Sequence, residues 1–491
     1  MWRIWISLNV ALAMSIVSLG CRSRQIRDPD FPGVVSASAQ AAQSPAPAAA
    51  AIPPVAPVLT GPQPVEVYIN YALSQNPDIE VTRKRVDALA SRVPQAASLD
   101  DPMLSVMGFP FYPAVPQTAA GRATAKLAVS QQVPWFGKLQ TKAEAAEAET
   151  NSGRATLAAA ELTVIERVKR AYYELYFIQH AIQISEEDRQ LLLDLSRIAE
   201  TRYKTGKVSQ QDVLRAQVEV SNLDSELINL RQQLASARAR LSQLLHVSPE
   251  TPVAAVERLP VEETPRDLER LNQLAVSARP ELQAQLAMIQ RDHRQVELAR
   301  LAYYPDVNLS VDWTEMTTAG AMAPTADGID DLGVGMMVNL PIYRNRLAAG
   351  VREAEAQAVS DTRQYDSMRD STLQELKDLF VQATSQQDLI KLFHENIIPK
   401  ADQTLRVSMS AYQVGDTDFL QLVDNWRQLL RFRISYHRLE AQLRQTLASM
   451  ERVVGGEIIS RGVFAPGPEP SQSMPAIPLS ESPIHTPQQP R

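Results

Sequence analysis

The side chains that most often carry out catalysis or hold metals form no known motif in this sequence. Six histidines are spread along the chain: His180, His246, His293, His394, His437 and His485. None stands at a spacing typical of metal ligands, and there is no nucleophile motif or glycine-rich phosphate loop. Met103, Met107, Met336 and Met337 carry thioethers that can contact soft metals, although methionine in such runs ordinarily packs or faces lipid. We therefore predict neither an enzyme nor a resident cofactor or metal.

Cys21 is the only cysteine of the chain, so an intramolecular disulfide or a multi-thiolate metal site is excluded. It follows an apolar stretch, residues 4–19, that is short for a membrane span but typical of a signal-peptide core behind Arg3. Gly20-Cys21 resembles a bacterial lipoprotein signal, in which cleavage exposes the cysteine for lipid (palmitate) attachment. We predict a signal peptide at residues 1–20 and a lipid anchor at Cys21. An ordinary secretory signal with an incidental cysteine is the alternative.

Both ends of the chain have compositions that cannot build a hydrophobic core. Residues 34–57 are rich in Ala, Pro, Ser and Gln, and the stretch after Ala465 is rich in Pro and Ser. We predict a tether at residues 21–61 and a disordered tail at residues 461–491. The net charge of −7 provides no basic surface for the phosphates of a nucleic acid, so no nucleic-acid partner is expected.

The intervening residues contain one pattern twice. The matching pairs are NPDIE (76–80) and RPELQ (279–283), VSQQVPWFGKL (129–139) and MVNLPIYRNRL (337–347), and YKTGKVSQQDVL (203–214) and YQVGDTDFLQLV (412–423). The pairs keep one order at a spacing of about 200 residues, which indicates an internal duplication rather than a solenoid. We predict two structural repeats, residues 62–260 and 261–460, each with a helix, two strands, a long helix, a hairpin turn and a return helix.

Helical periodicity predicts unusually long helices in both repeats. The predicted helices are Val65–Ser98, Lys138–Thr205, Gln210–His246, Asp267–Tyr303, Asn345–Val414 and Phe419–Val454. At 1.5 Å per residue, the second and fifth of these extend on the order of 100 Å, which no compact globular domain requires. Pro399 is expected to kink the fifth helix locally, because proline cannot donate a helical hydrogen bond.

Four short runs alternate between apolar and polar residues. The clearest is DVNLSVDW (306–313), and the others are residues 103–109, 124–133 and 332–340. Such alternation fits either a sheet half-buried on a soluble core or a membrane barrel that faces lipid on one side. No helix is predicted to cover these strands, so their free edges need a partner, and closure with further copies of the chain would provide one.

The two Tyr-x-x-Gly stretches predict matching helical hairpin turns. Gly206 and Gly415 suit the left-handed position after a helix, where a Cβ would be strained. The predicted pairs of N-cap and capping-box residues are Ser209 with Asp212 and Asp418 with Gln421. A capped hairpin is by itself only a structural feature, so a function for the turns depends on the wider architecture.

These elements, in this order behind a lipoprotein-type signal, resemble the TolC family of outer-membrane efflux channels. The resemblance covers about residues 62–460 and is carried by the repeated motifs quoted above. DDPMLSV and VPWFGKL further resemble the heavy-metal branch, which works with resistance-nodulation-division pumps. The resemblance implies a mainly α fold with a small membrane β-barrel portion. In it, four strands from each protomer of a homotrimer complete a twelve-stranded outer-membrane β-barrel, and the long hairpins form a periplasmic α-barrel.

The implied function is that of an outer-membrane exit duct in a tripartite efflux system. Such a duct passively conducts metal cations or small toxic compounds from an inner-membrane pump and a periplasmic adaptor (membrane fusion) protein to the exterior. The implied location is the outer membrane, in contact with its lipid and extending into the periplasm. The alternatives are the outer-membrane channel of a protein secretion system, and a periplasmic coiled-coil adaptor or structural lipoprotein.

The resemblance also implies roles for the turns. The residues that it places at the periplasmic tip, where the adaptor docks, are Tyr203, Gly206, Lys207, Ser209 and Asp212 in the first turn and Tyr412, Gly415, Asp416 and Asp418 in the second. Gln421 and Asp424 are implied at the pore constriction, where three copies of Asp424 would form an acidic ring that attracts cations. Thr417 stands where some members have an arginine, and Gln421 where the family often has a second acidic residue.

Overall fold

The computed structural model describes residues 59–109, 116–259 and 264–456, together with residues 31 and 56. The predicted signal peptide, Cys21 and the tail from residue 461 onward lie outside the described residues, as does most of the predicted tether. The elements below belong to one compact unit, Val55–Arg491. Among the described residues, no helix is both long enough and apolar enough to cross a membrane.

Helices make up most of the described chain. They are α1 (Val65–Gln75), α2 (Pro77–Ala90), α3 (Arg92–Ala97), α4 (Lys138–Lys204), α5 (Gln210–Leu244), α6 (Leu268–Ala278), α7 (Pro280–Leu301), α8 (Arg344–Leu392), α9 (Ile398–Val414) and α10 (Phe419–Val454). Helix α4 runs for 67 residues without a break, and α10 has the predicted bounds. The predictions of long helices and of two return helices are therefore confirmed, although α5 ends at Leu244 rather than at His246.

The prediction of a single helix at the start of each repeat was wrong. The first is divided into α1, α2 and α3, and the second into α6 and α7. Pro77 and Pro280 each begin a new helix, because proline disfavours helical geometry in the preceding residue. Asn76 and Arg279 accordingly have extended backbones, with ψ of 123° and 119°. Asn76 also caps α2, since its side chain accepts a hydrogen bond from the Asp78 amide.

The long helix of the second half changes its winding before Pro399. Residues Phe393–Ile397 form a π-helical turn between α8 and α9, in which the Ile398 amide donates to the Phe393 carbonyl. A proline both lacks the N–H that would bond four residues back and crowds the carbonyl there. The wider turn accommodates Pro399, and it lies at the position where the sequence predicts a local kink.

All four predicted strands are present and form one antiparallel sheet. They are β2 (Met103–Gly108), β4 (Gly121–Val133), β6 (Val307–Thr317) and β7 (Asp331–Val338), in the order β2-β4-β6-β7. A two-residue strand, β3 (Gln117–Thr118), extends the sheet beside β4. Strands from both halves of the chain meet at the pairing of β4 with β6, where Val129 lies opposite Val311. The sheet ends at β2 and β7, which have no further strand beside them among the described residues.

The two faces of the sheet differ in polarity. The pairing register places Leu104, Val129, Val311 and Val334 on one face, and all four side chains are at least 49% exposed. The other face holds Lys126 and Asp312, whose side chains form an ion pair at 3.0 Å. Of the four methionines named above, Met336 lies on the apolar face, while Met103, Met107 and Met337 lie on the polar face.

Two strands that the sequence does not predict join the start and end of the first half. Strand β1 (Gly61–Gln63) pairs in parallel with β5 (Val253–Ala255). The fully buried Tyr68 donates its hydroxyl proton to the Ala254 carbonyl at 3.0 Å. Tyr172 donates in the same way to the Gln63 carbonyl, so two tyrosines fasten this pair to α1 and α4.

Candidate functional site at the hairpin turns

The two hairpin turns have the same backbone geometry. Gly206 and Gly415 follow α4 and α9 with φ of 72° and 98°, as the sequence predicts for left-handed positions. In the first turn the Lys207 amide donates to the Arg202 carbonyl, and in the second the Asp416 amide donates to the Ala411 carbonyl, both at 2.9 Å. This is the Schellman pattern, which supplies donors to carbonyls at the end of a helix.

The N-caps of the return helices differ, and only one is formed by a side chain. The Asp418 carboxylate accepts a hydrogen bond from the Gln421 amide at 2.8 Å. Ser209 occupies the N-cap position of α5, but its hydroxyl makes no capping hydrogen bond. The reciprocal bond of the predicted capping box, from the Asp418 amide to the Gln421 side-chain oxygen, is not found among the described residues; the Gln421 side-chain nitrogen donates to Asn425. The predicted N-cap position of Ser209 is therefore confirmed, but the predicted capping hydrogen bond of its side chain is not formed.

The two turns lie beside each other. The guanidinium of Arg202, at the end of α4, lies 4.7 Å from the centre of the Tyr412 ring in the other hairpin. Its Nη2 atom is 3.3 Å from the point that a Cβ at Gly415 would occupy. Behind the turns, Leu195 of α4, Ala216 of α5 and Phe419 of α10 belong to one buried apolar cluster. The hairpins therefore end together as one surface, which we call the tip.

Equivalent residues of the two turns have different surroundings. Tyr203 is 44% exposed, whereas Tyr412 is 1% exposed and packs on Phe419 with ring centres 5.5 Å apart. Lys207, Ser209, Asp416 and Asp418 are exposed, so the first turn presents a positive charge and the second two negative charges. Burial raises the pKa of the Tyr412 hydroxyl above its ordinary value.

Asp212 is the half-buried carboxylate of the tip. Burial raises its pKa, and the nearby negative charge of Asp418 raises it further, while the cations Arg215 and Arg202 act in the opposite direction. Two carboxylates from different hairpins thus repel each other here, with Arg202 close to both turns. Sequence reasoning missed Arg202. The sequence does contain a signal, which is a difference between the two turns: Arg202 precedes Tyr203, whereas Ala411 precedes Tyr412.

Asp424 lies on the exposed side of α10, but its carboxylate is paired. Arg427 Nη1 donates to it at 3.2 Å, and the same guanidinium bonds the buried Glu219 of α5 through Nε at 3.1 Å. Gln421 is exposed one turn earlier. The predicted constriction residues therefore lie together near the tip, next to an ion-pair network that connects the two hairpins and that the sequence does not predict.

A buried carboxylate lies further up the same hairpins. Asp188 of α4 is 2% exposed and accepts a hydrogen bond from the indole N–H of Trp426 at 3.2 Å. Burial raises its pKa, and the positive charge of Arg433 only partly offsets this effect. The bond joins α4 to α10 inside the apolar core of the tip.

Three of the six histidines meet in one cleft: His180, His394 and His437. The cleft has a volume of about 820 Å³ and lies next to the π-helical turn. The rings of His180 and His437 are stacked with centres 4.7 Å apart, and His437 Nδ1 lies 2.9 Å from a Glu440 oxygen. Burial, followed by the proximity of His437, lowers the pKa of His180. Within the described residues there is no group of three or more side chains placed to hold a metal ion.

Solved structures define the class of this fold. The chain superposes on CusC, whose crystal structures concern transmembrane channel formation, with a TM-score of 0.69 and 18% identity over 81% of this chain and 93% of that one. It superposes on the outer membrane protein VceC of Vibrio cholerae with a TM-score of 0.67 and 21% identity, over 80% and 96% of the two chains. The fold is therefore that of an outer-membrane channel subunit.

The sequence comparisons give the family. Residues 68–246 and 271–456 match the family model of the outer membrane efflux protein, and the chain belongs to that family. Among its relatives is the cobalt-zinc-cadmium resistance protein CzcC of Cupriavidus metallidurans, 23% identical over 80% of this chain and 90% of the relative. The multidrug resistance outer membrane protein MdtP of Escherichia coli is 22% identical over 77% and 75% of the two chains. The protein is accordingly an outer-membrane channel rather than a member of an enzyme family, which also excludes the alternative of a periplasmic adaptor.

Proposed function

We propose that the protein is the outer-membrane exit duct of a tripartite efflux system. In this proposal it conducts substrate passively from an inner-membrane pump and a periplasmic adaptor to the exterior. The observation that carries the proposal is the joining of a sheet with one apolar face to two long, capped hairpins in a member of the outer membrane efflux family. The exposed apolar face of the sheet suits contact with lipid, and the long hairpins suit contact with an adaptor far from the membrane.

We further propose a homotrimer. Strands β2 and β7 leave both edges of the sheet without a partner among the described residues, and exposed edges are unstable unless they are paired or protected. Four strands are too few to close a barrel, whereas twelve strands from three copies can enclose an aqueous lumen. In the trimer, the apolar face with Leu104 and Val334 faces lipid, and the face with Lys126 and Asp312 lines the lumen.

The tip is the proposed docking surface for the adaptor. Its residues are Tyr203, Gly206, Lys207, Ser209 and Asp212 of the first turn and Gly415, Asp416 and Asp418 of the second, with Tyr412 buried beneath them. The opposite charges of Lys207 and Asp416 support two unlike contact sites on one chain. Gln421 and Asp424 are proposed to line the constriction, where three copies of Asp424 and its Arg427 partner form a charged ring.

The decisive experiment measures channel activity of the purified full-length protein. We expect a band of trimer size on unheated denaturing gels, which collapses to the monomer on boiling, and discrete single-channel currents in planar lipid bilayers. Monomeric migration without any current would overturn the proposal.

Metal cations are the proposed substrates, by similarity to the cobalt-zinc-cadmium resistance relative. A deletion strain should grow less well on cobalt, zinc or cadmium, and the wild-type gene should restore growth. Sensitivity to drugs alone would instead support the multidrug alternative. Normal growth on both, with a protein missing from the medium, would support the protein secretion alternative.

Lipid attachment at Cys21 is proposed as the membrane anchor of the tether. Labelled palmitate should enter the wild-type protein, and the Cys21→Ser variant should take up none. Equal labelling of both proteins would contradict attachment at Cys21 and leave the ordinary secretory signal.

A further inference from the structure

Where the sheet meets the long helices, a small contact joins the two repeats inside the chain. Lys138, the first residue of α4, donates to a carboxylate oxygen of Asp306, directly before β6, at 2.7 Å. The Trp135 amide donates to the same oxygen at 2.8 Å, and the Trp135 ring stacks on Tyr304 with centres 5.3 Å apart. The side chains of the ion pair are only 11% and 20% exposed. The contact therefore fastens the end of β4, in the first repeat, to the start of β6, in the second.

The internal duplication provides the same four positions a second time. Residues 101–106, DPMLSV, match residues 306–311, DVNLSV, at the start of β2 and β6. Residues 337–347 match residues 129–139, as noted above, and lead into α8 and α4. The equivalents are Arg346 for Lys138, Asp101 for Asp306, Tyr343 for Trp135 and Leu99 for Tyr304.

The second set of residues is exposed instead of joined. Arg346 and Asp101 form no ion pair among the described residues, and both are exposed. Tyr343 is 72% exposed and Leu99 is 45% exposed. Asp101 precedes β2 and Arg346 follows β7, so they belong to opposite edges of the sheet, three strand spacings or about 14 Å apart. These are the two edges that have no neighbouring strand in the described part of the chain.

The registers of the sheet show how a second copy would align. Val106 lies opposite Leu127 in the first hairpin of strands, and the equivalent Val311 lies opposite Val334 in the second. The two hairpins of strands therefore have the same register. The antiparallel pairing of β4 with β6 joins them, and β7 can pair with β2 of another copy in the same sense. Repetition of that pairing brings the start of α8 next to the residues before β2.

We propose that Arg346 of one copy binds Asp101 of the next copy, and that Tyr343 packs on Leu99 beside this ion pair. The inference rests on the proposed trimer and adds to it the residues that join neighbouring chains below the barrel. A second copy of the chain fits this surface because the arginine and the aspartate are complementary in charge and stand at the two free edges. In the closed ring, contacts within chains alternate with equivalent contacts between chains.

Exchange of the two charges tests the ion pair. The trimer band of the full-length protein is followed on denaturing gels after incubation at increasing temperatures. Arg346→Asp and Asp101→Arg should each lose the trimer band at a lower temperature than the wild type, because like charges then face each other between copies. The double variant, with the charges exchanged, should recover most of this loss. Arg352→Asp is the matched control, since Arg352 is an exposed arginine of α8 without an ion pair among the described residues, and its trimer should resist heat like the wild type.

Cross-linking tests the neighbouring contact without depending on the strength of the ion pair. In a variant that carries both Leu99→Cys and Tyr343→Cys, a short thiol-specific cross-linker should join the copies covalently, so that dimer and trimer bands survive boiling. Either substitution alone should give only the monomer. A double cysteine variant that migrates as a trimer before boiling but yields no joined copies would overturn the packing of Tyr343 on Leu99.

The remaining outcomes separate the ion pair from the trimer itself. Wild-type heat resistance in Arg346→Asp would overturn the ion pair. A double variant no more resistant than the single variants would also overturn it, and is the result expected if Arg346 instead contacts a lipid phosphate. If a single variant does not assemble at all, assembly of the double variant decides in the same way. A wild-type protein that migrates only as a monomer would overturn the proposed trimer instead.

Discussion

One charged residue near the tip, Arg427, forms ion pairs both within its own helix and with the other hairpin. These pairs bear on the role expected of Asp424. Arg427 joins Asp424 of its own helix to Glu219 of α5. Only the bond to Glu219 crosses between the hairpins, and because half-buried ion pairs are screened less than exposed ones, it is also the stronger of the two. In the proposed constriction, Asp424 would then act mainly through its charge.

Replacement of Asp424 by alanine should reduce the preference of the channel for cations, because three negative charges leave the proposed constriction. The reversal potential in a salt gradient across a bilayer measures this preference. Asp194→Ala is the matched control, since Asp194 forms a similarly exposed pair with Arg197 three residues away. Equal reversal potentials for the two variants would remove Asp424 from the constriction.

The environment of His180 in the histidine stack predicts that the stability of the protein depends on pH. His180 faces His437, Tyr176 and the Glu440 carboxylate, and burial sets its pKa below the ordinary 6.5. The folded protein therefore favours neutral His180. This stabilisation is fully present above about pH 6.5 and is lost as the pH falls below 6.5 toward the lower pKa of the folded state. Unfolding temperatures at pH 7.5 and 5.0 measure the loss. His180→Phe, which keeps a ring in the stack, should make the difference smaller; an unchanged difference would contradict the prediction.

At the scale of helices and turns, sequence reasoning succeeds where the determinants are local. Gly206, Gly415 and the strand alternation predict the hairpins and the four strands, because left-handed geometry and side-chain period depend on neighbouring residues only. The division at Pro77 and Pro280 also follows from a local rule, since proline disfavours helical geometry in the residue before it. The three-residue strands β1 and β5 were not predictable, since they are too short for any periodicity.

The two N-caps provide a test at this scale. Asp418→Ala should destabilise the start of α10 by about 1 kcal/mol, because the Gln421 amide loses its acceptor. Ser209→Ala, at the equivalent position of α5, should have little effect since that hydroxyl makes no capping bond. Hydrogen exchange at the first-turn amides of α10 and α5 measures both changes. Similar acceleration in the two variants would show that Ser209 also caps its helix.

At the scale of the whole molecule, an ion-pair network holds the far end of the second hairpin against the rest of the helical body. Arg452 of α10 bonds Glu166 of α4 at 2.9 Å and Glu375 of α8 at 2.7 Å, and Arg279 bonds Glu375 at 3.2 Å. Glu166 and Glu375 lie about 200 residues apart. No sequence spacing predicts such a network, or the meeting of His180 with His437, because both depend on how distant helices pack.

The close packing at the end of α10, next to this network, can be tested by replacing one glycine there and one at the first turn. Gly206 and Gly455 both follow helices with positive φ, so alanine at either should cost about 1 kcal/mol of strain. A Cβ at Gly455 would also lie 2.6 Å from the Ala278 carbonyl oxygen, whereas nothing lies within 4 Å at Gly206. Gly455→Ala should therefore lower the unfolding temperature more than Gly206→Ala. Equal shifts would show that the end of α10 is free to move away from Ala278.

The contrast between Tyr203 and Tyr412 has a consequence for how such a tip can evolve. A ring assembled from chains with one hairpin each would be fully symmetric, so a mutation in one turn would appear in every turn. With two hairpins in one chain, the first tyrosine is free to stay on the surface while the second is buried in the core. Mutations can then change the surface that contacts a partner at the first turn without changing the buried packing at the second turn.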